Sequence, residues 1–209
     1  NAYDNGYAAG FYFGMEYEDN PYKRDYMKNA PTIPPKQVNH GALLENSFKG
    51  DEIDLLKIPT PRWHEGDGGY FMGTGCMVIM KDPDSGWINY GAYRVQVHDK
   101  KVASVMISKG KHGDILMRKY HDKGQPCPIA VVTGVHPGLF AVAGLEIPYG
   151  KNEFEAAGGL LGEEIRVING PVTGLPIPAE AEIAFEGYVH KGDLIKRGQR
   201  IAEWDIESP

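Results

Sequence analysis

The chain lacks basic runs and any positive balance: 22 Lys and Arg stand against 28 Asp and Glu, a net charge of −6. That argues against nucleic acid or an anionic membrane surface as the main partner. Cysteine is scarce. Cys76 and Cys127 lie far apart without CxxC spacing, which suggests neither a zinc site nor a disulfide framework, and a reducing cytoplasm is the expected setting. Long apolar runs are also missing. The most apolar region, 128–148, is interrupted by His136-Pro137-Gly138 and by Glu146, so no stretch of about 20 residues can cross a bilayer. The chain opens on Asn1-Ala2-Tyr3-Asp4, with no Met and no basic segment leading into an apolar one, so no secretion signal is read there. It begins as a fragment or a trimmed product would.

What remains is ordinary globular material. Of 209 residues, 42% are hydrophobic and 24% charged, enough for one domain, or one domain with an appendage. Residues 1–30 are rich in Tyr, Gly and Asn around an apolar Ala8-Ala9-Gly10-Phe11-Tyr12-Phe13-Gly14. Pro31, Pro34 and Pro35 then punctuate a connector, since each fixes its own φ and biases its predecessor away from helix.

The informative stretch is Trp87-Ile88-Asn89-Tyr90-Gly91-Ala92-Tyr93-Arg94-Val95-Gln96-Val97. Its β-branched and aromatic content predicts an extended segment. Asn89 and Arg94, five apart, would face opposite sides of a regular strand. A bulge at Gly91 would bring both to one face. Asn offers a neutral oxygen to a hard cation, and Arg a charged fork for phosphate or carboxylate. Together they suit an anionic ligand held with a metal ion; the alternative is a turn asparagine and an edge-strand ion pair.

Around this stretch the pattern is antiparallel. Residues 70–81 and 87–98 read as strands joined by the turn Asp82-Pro83-Asp84-Ser85-Gly86. Asp99-Lys100 turns into a third strand at 101–108, and the whole suggests a meander or small barrel. Apolar spacing after His112 predicts a helix ending near Gly124. His112 is then either a ligand at a strand-to-helix junction or a solvated helix-end residue. Residues 127–133 read as a strand, Pro137 stands in the first turn of a helix reaching Ala143, and His136 is read as a capping or core-edge residue. At 152–162, Asn152 can cap a helix while Glu153 and Glu155 complement its dipole. His64, Glu65 and Asp67 read as a solvated Gly-rich loop.

The order of these features is similar to a known family. Asn-X-Gly-X-Tyr-Arg at 89–94, Asp-Pro-Asp-Ser-Gly before it and Gly-Lys-His-Gly at 110–113 resemble the central domain of the UbiD decarboxylases. So do the Pro-X-Pro and Asp-X-Gly segments at 59–69, Glu153-Phe154-Glu155-Ala156-Ala157-Gly158, and Pro178-Ala179-Glu180-Ala181-Glu182 with Glu186-Gly187. The resemblance implies an α+β chain: an antiparallel split β-barrel, flavin-reductase-like and FMN-binding, with flanking helices. It implies that 1–57 is a remnant of an N-terminal domain and a connector, that 58–209 is the prenylated-FMN domain, and that a C-terminal domain is absent.

The resemblance also assigns roles. Asn89, His112 and Glu153 would hold Mn²⁺ or Mg²⁺, with K⁺ as a further ion. The cofactor, prenylated FMN, would be bound by Asn89, Tyr90, Gly91, Ala92, Tyr93, Arg94, Lys111 and His112. Arg94 would orient the substrate carboxylate, paired with Glu207 of Glu207-Ser208-Pro209, where Ser replaces the family's usual Gly. The proton-donating acid would lie past Pro209, so the chain alone is expected to be inactive. The substrate would be a small aromatic acid, closest to a hydroxybenzoate, or an α,β-unsaturated acid. A flavin prenyltransferase would supply the cofactor, and the intact protein would be a homo-oligomer. Two other classes stay open: a non-catalytic FMN-binding barrel, and a fragment with no ligand site.

Overall fold

A computed structural model describes residues 29–192 and 204–205. The apolar stretch at 8–14 and Glu207 lie outside the described residues. Among the described residues eleven strands and three α-helices follow one another: β1 Lys36–Gln37, β2 Tyr70–Gly73, β3 Cys76–Lys81, β4 Ile88–Gly91, β5 Arg94–Asp99, β6 Val102–Met106, α1 His112–Asp122, β7 Cys127–Thr133, α2 Pro137–Ala143, α3 Glu153–Leu161, β8 Arg166–Asn169, β9 Pro176–Pro178, β10 Ile183–Val189 and β11 Trp204–Asp205. The fold is mixed α+β.

The middle layer is a five-stranded antiparallel sheet ordered β11-β10-β7-β3-β4. Both of its faces are covered, which is why β3 and β7 read as near-continuous apolar runs. Met77, Ile79, Ala130 and Val132 enter a core shared with α2, α3 and the β1-β8-β9 sheet. Their neighbours Cys76, Val78, Met80, Ile129 and Val131 enter a second core, closed by α1 and the β2-β5-β6 sheet. Strand alternation thus feeds two cores from one strand. Both cysteines are free and buried, and burial pushes each thiol up to about 12.

The two long runs form a hairpin, but neither is one strand. Residues 70–81 break after Gly73 and residues 87–98 break at Ala92-Tyr93, so β3 pairs with β4 in the middle sheet while β2 pairs with β5 in the outer one. The expected Gly91 bulge is replaced by a change of sheet. Glycines make the crossing tight: a Cβ on Gly73 would lie 2.4 Å from Cys76 Sγ, and one on Gly91 3.0 Å from the Tyr93 ring. Cys76 Sγ donates to the Tyr93 carbonyl across the gap (3.2 Å). For the same reason the strands do not form a closed barrel: hydrogen bonding leaves one sheet and resumes in another, and the sheets are open among the described residues.

Local signals elsewhere hold. Asp82 Oδ1 accepts from Asp84 N (2.9 Å) in the hairpin turn, and Gly86 adopts φ +77°. His136 Nδ1 accepts from Gly138 N (3.1 Å) at the start of α2, with Pro137 at the first position. Glu186 is buried and accepts from Thr173 N (2.9 Å) and Val172 N (3.2 Å), a structural role.

Candidate functional site

Three elements converge on one buried point. β4 is an edge strand that carries Asn89 inward, 3% exposed. Helix α3 brings Glu153, 2% exposed, down onto it. The helix starts there because Asn152 Oδ1 accepts from Phe154 N (2.9 Å). Further along the helix, Gly158 and Gly159 leave room for the backbone of residues 31–33; a Cβ on Gly158 would lie 2.5 Å from the Ile33 carbonyl. Tyr90 and Phe154 seal the contact edge to face, 4.8 Å between centroids.

The Glu153 carboxylate is held on both oxygens. Asn89 Nδ2 donates to Oε1 (2.5 Å), and Tyr90 N, an edge-strand donor, to Oε2 (3.3 Å). Burial still dominates and pushes this carboxyl up to about 8. A carboxylate there at neutral pH is favoured by a cation.

His112 supplies the third group. It is the first residue of α1, where Lys111 is the cap position. Its Nδ1 lies 3.4 Å from Asn89 Nδ2. Trp87 and Tyr149 flank its ring edge-on, at 5.2 and 5.4 Å, and contact each other at 4.6 Å. Trp87 Nε1 is fixed by the Lys151 carbonyl (2.8 Å). Burial, then the neighbouring Lys111 charge, lowers the imidazole pKa and keeps a lone pair free near neutrality.

One atom is out of place for a purely structural cluster: Asn89 Oδ1 is buried without a hydrogen-bond partner. An amide can be turned end for end at little cost in shape. Turned, Oδ1 stands where Nδ2 does, 2.5 Å from Glu153 Oε1 and 3.4 Å from His112 Nδ1. Ligands about 2.1 Å from an octahedral ion and at right angles are about 3 Å apart, and the two Asn89 contacts, at 2.5 and 3.4 Å, lie on either side of that spacing. Two oxygens and an imidazole, without thiolate, suit a hard or borderline divalent ion. Among the described residues no cluster of three or more His, Cys, Asp or Glu exists that could hold a metal ion; here the third donor is an amide.

The other end of the key stretch is different in kind. Tyr93 is half-buried and its hydroxyl accepts from Gly113 N (3.3 Å). Ala92 N donates to the Ala143 carbonyl (3.0 Å). Arg94 opens β5 and is exposed. Its guanidinium lies over the Phe71 ring (4.4 Å) and reaches Asp67 Oδ1 at 3.7 Å. Lys111 Nζ pairs with Glu146 Oε1 (2.6 Å) on the open side of the site. Behind Trp87 and Tyr149 runs a cleft of about 870 Å³, bordered also by Ile88, Lys151, Asn152 and Glu155.

A family model described as the 3-octaprenyl-4-hydroxybenzoate carboxy-lyase Rift-related domain, UbiD, matches residues 36–202. The chain belongs to the UbiD family. Pyrrole-2-carboxylic acid decarboxylase of Pseudomonas aeruginosa is 31% identical over 169 residues, 81% of this chain and 34% of that protein. Ferulic acid decarboxylase 1 of Candida dubliniensis is 34% identical over 172 residues, 79% of this chain and 32% of that protein. The UbiD-class enzyme HmfF of Pelotomaculum thermopropionicum, solved with FMN and, as an evolved dimeric form, with prFMN, superposes at a TM-score of 0.74 in both structures. It is 30% identical, and the match covers 80% of this chain and 38% or 40% of HmfF. The chain spans about a third of the length of the curated relatives it matches.

In this UbiD chain, then, Asn89, His112 and Glu153 are brought together, with Tyr90 and Gly91 beside them. Ala92, Arg94 and Lys111 lie along the exposed side, while half-buried Tyr93 packs against the second core. Arg94 meets Asp67; its expected partner Glu207 is outside the described residues. Sequence reasoning missed Trp87 and Tyr149 as the walls of His112, Asp67 as the neighbour of Arg94, and Lys119, whose ammonium reaches buried Asp82 (2.6 Å). Only Trp87 carried a signal, its place at the head of the strand run. No helix of the described residues is long and apolar enough to cross a membrane.

Proposed function

We propose that this chain is the cofactor-holding part of a carboxy-lyase that reversibly decarboxylates a small aromatic, hydroxybenzoate-type or α,β-unsaturated acid with prenylated FMN and a divalent metal. One observation carries the reading: the Asn89, His112 and Glu153 donors converge, and Asn89 Oδ1 is buried without a partner. The decarboxylases among the relatives and the flavin complexes of HmfF support it. In this reading residues 58–209 form the flavin domain, 1–57 lead into it, and the two halves of the split hairpin correspond to the two sides of a split barrel.

Asn89, His112 and Glu153 would hold Mn²⁺ or Mg²⁺, whose charge offsets a buried phosphate. Lys111 adds a cation beside it. The backbone of residues 90–93 lines the flavin. When bound, the prenylated flavin supplies the electron sink for loss of CO₂. Arg94, pre-set over Phe71, binds and orients the substrate carboxylate, and Glu207 is its proposed acidic partner. K⁺ as a second ion, a prenyltransferase supplier and a homo-oligomeric holoenzyme belong to the same proposal.

The test is reconstitution of the chain with prenylated FMN and Mn²⁺, desalting, and quantification of both by mass spectrometry and metal analysis. The expected result is retention of one of each per chain, abolished by Asn89→Ala, His112→Ala and Glu153→Ala. Flavin retained without Mn²⁺, or retention indifferent to these substitutions, would overturn the assignment.

A further inference from the structure

His112 is held by more than its neighbours in the ring stack. In α1, His112, Leu116 and Lys119 are spaced i, i+4, i+7 and share one stripe. All three touch what lies beneath. His112 meets Asn89 on β4, Leu116 is 0% exposed in the second core, and Lys119 Nζ lies 2.6 Å from Asp82 Oδ2. Asp82 is 2% exposed and ends the β3 side of the same hairpin that carries Asn89 on its β4 side, two residues beyond Met80, the cross-strand partner of Asn89. Its other oxygen is committed to the turn through Asp84 N (2.9 Å), so the carboxylate cannot follow a moving helix. The Lys119 ammonium also faces the Tyr149 hydroxyl, and the Tyr149 ring flanks His112.

We infer that Asp82 and Lys119 are positioning residues for the site: together they lock the register of α1 on the β3–β4 hairpin and so set where the His112 imidazole stands relative to Asn89. Seven residues of helix separate the two pins, about 10 Å, and Leu116 is buried between them. A slip at Lys119 is therefore transmitted along a rigid rod to His112. Exposed Asp84 also lies 3.5 Å from Lys119 Nζ, but its pair with Lys123 falls at the cap position, beyond the end of α1. This inference rests on the reading of His112 as a ligand given above.

The experiment uses the 209-residue chain and two readouts: the imidazole resonances of His112 in the metal-free protein, displaced by the Trp87 and Tyr149 rings, and affinity for Mn²⁺ alone. K119M is expected to move the His112 resonances toward their unshifted positions and to weaken Mn²⁺ about 10-fold, the low end for loss of a group that orients a ligand. K119R should restore most of both, and K123M should change neither. If K119M fails to fold, the near-isosteric D82N carries the same test. A lowered melting temperature with His112 resonances and Mn²⁺ affinity intact would overturn the inference, leaving the pair as a mere staple. If the unaltered chain did not bind Mn²⁺ at all while K119M still displaced the His112 resonances, the metal reading would fail and the positioning would stand.

Discussion

Asn89 and Arg94 sit on one continuous stretch, yet they occupy opposite regimes. Around Asn89 every neighbour is fixed: a helix cap presents Glu153, an edge-strand amide steadies it, and two aromatic rings bracket His112. Around Arg94 there is one aromatic face and one carboxylate at 3.7 Å, in contact with solvent. The first region stores free energy, because an unpartnered buried amide oxygen costs about 1–3 kcal/mol. The second stores almost none, since an exposed ion pair contributes about 0–1 kcal/mol. Under the proposed function, preorganisation would be concentrated where the metal is held and left slack where the substrate comes and goes.

The contrast can be broken most severely at Glu153. Glu153→Ala should weaken Mn²⁺ by about 100-fold or more, the upper range for loss of an orienting group being a minimum for loss of a ligand, whereas Glu155→Ala should leave it within about twofold; titration of the metal decides. If Glu155→Ala did the greater damage, the ligand would be misplaced. Next comes Asp82. Burial alone would raise its pKa, but the Lys119 ammonium and the turn amides outweigh it and hold the carboxyl below its ordinary 3.8. Its contribution is therefore fully present above about pH 4 to 5 and disappears as pH falls through the lower, folded value. Asp82→Asn should cost about 2 kcal/mol at pH 7, less than a fully buried pair because Lys119 is partly exposed. In urea unfolding followed across pH, that deficit should shrink below pH 4; a constant deficit would mean the charge is not what matters.

Smaller effects sharpen the boundary between the two regions. Gly91→Ala places a methyl against the Tyr93 ring and should cost about 1–2 kcal/mol as the crossing repacks; wild-type stability would show that the ring yields freely. Asp67→Asn should change stability by less than about 0.5 kcal/mol while increasing the guanidinium motion of Arg94 seen in ¹⁵N relaxation. Unchanged motion would mean that Phe71 alone holds the side chain.

Much of this was legible because it is local. Asn152, His136 and Pro137 announce their helix starts by capping chemistry, β7 has the bounds its apolar run suggested, and the Asp82–Gly86 turn is where turn residues cluster. The family motifs picked Glu153 over Glu155, and the fold buries Glu153 against Asn89 and leaves Glu155 half-buried. What was hidden depends on distance along the chain. β-propensity marks an extended run but not its hydrogen-bonding partner, so the division of each run between two sheets could not be seen. The rings of Trp87 and Tyr149 meet His112 from 25 and 37 positions away, with no periodicity to link them. Lys119 looks like any solvent-side lysine until the hairpin that Asp82 terminates is laid beneath it.

The change of sheet between Gly91 and Arg94 also makes the stretch a gauge. Five residues of extended chain reach at most about 17 Å, so the two points of a molecule that engage Asn89 and Arg94 are held to a separation of that order. The gauge has no adjustment. The crossing is tied down on both residues, since Ala92 N donates to the Ala143 carbonyl (3.0 Å) and the Tyr93 carbonyl accepts from Cys76 Sγ (3.2 Å); under the proposed function, change in the ligands such a chain accepts would come from the walls, since the ruler itself is fixed.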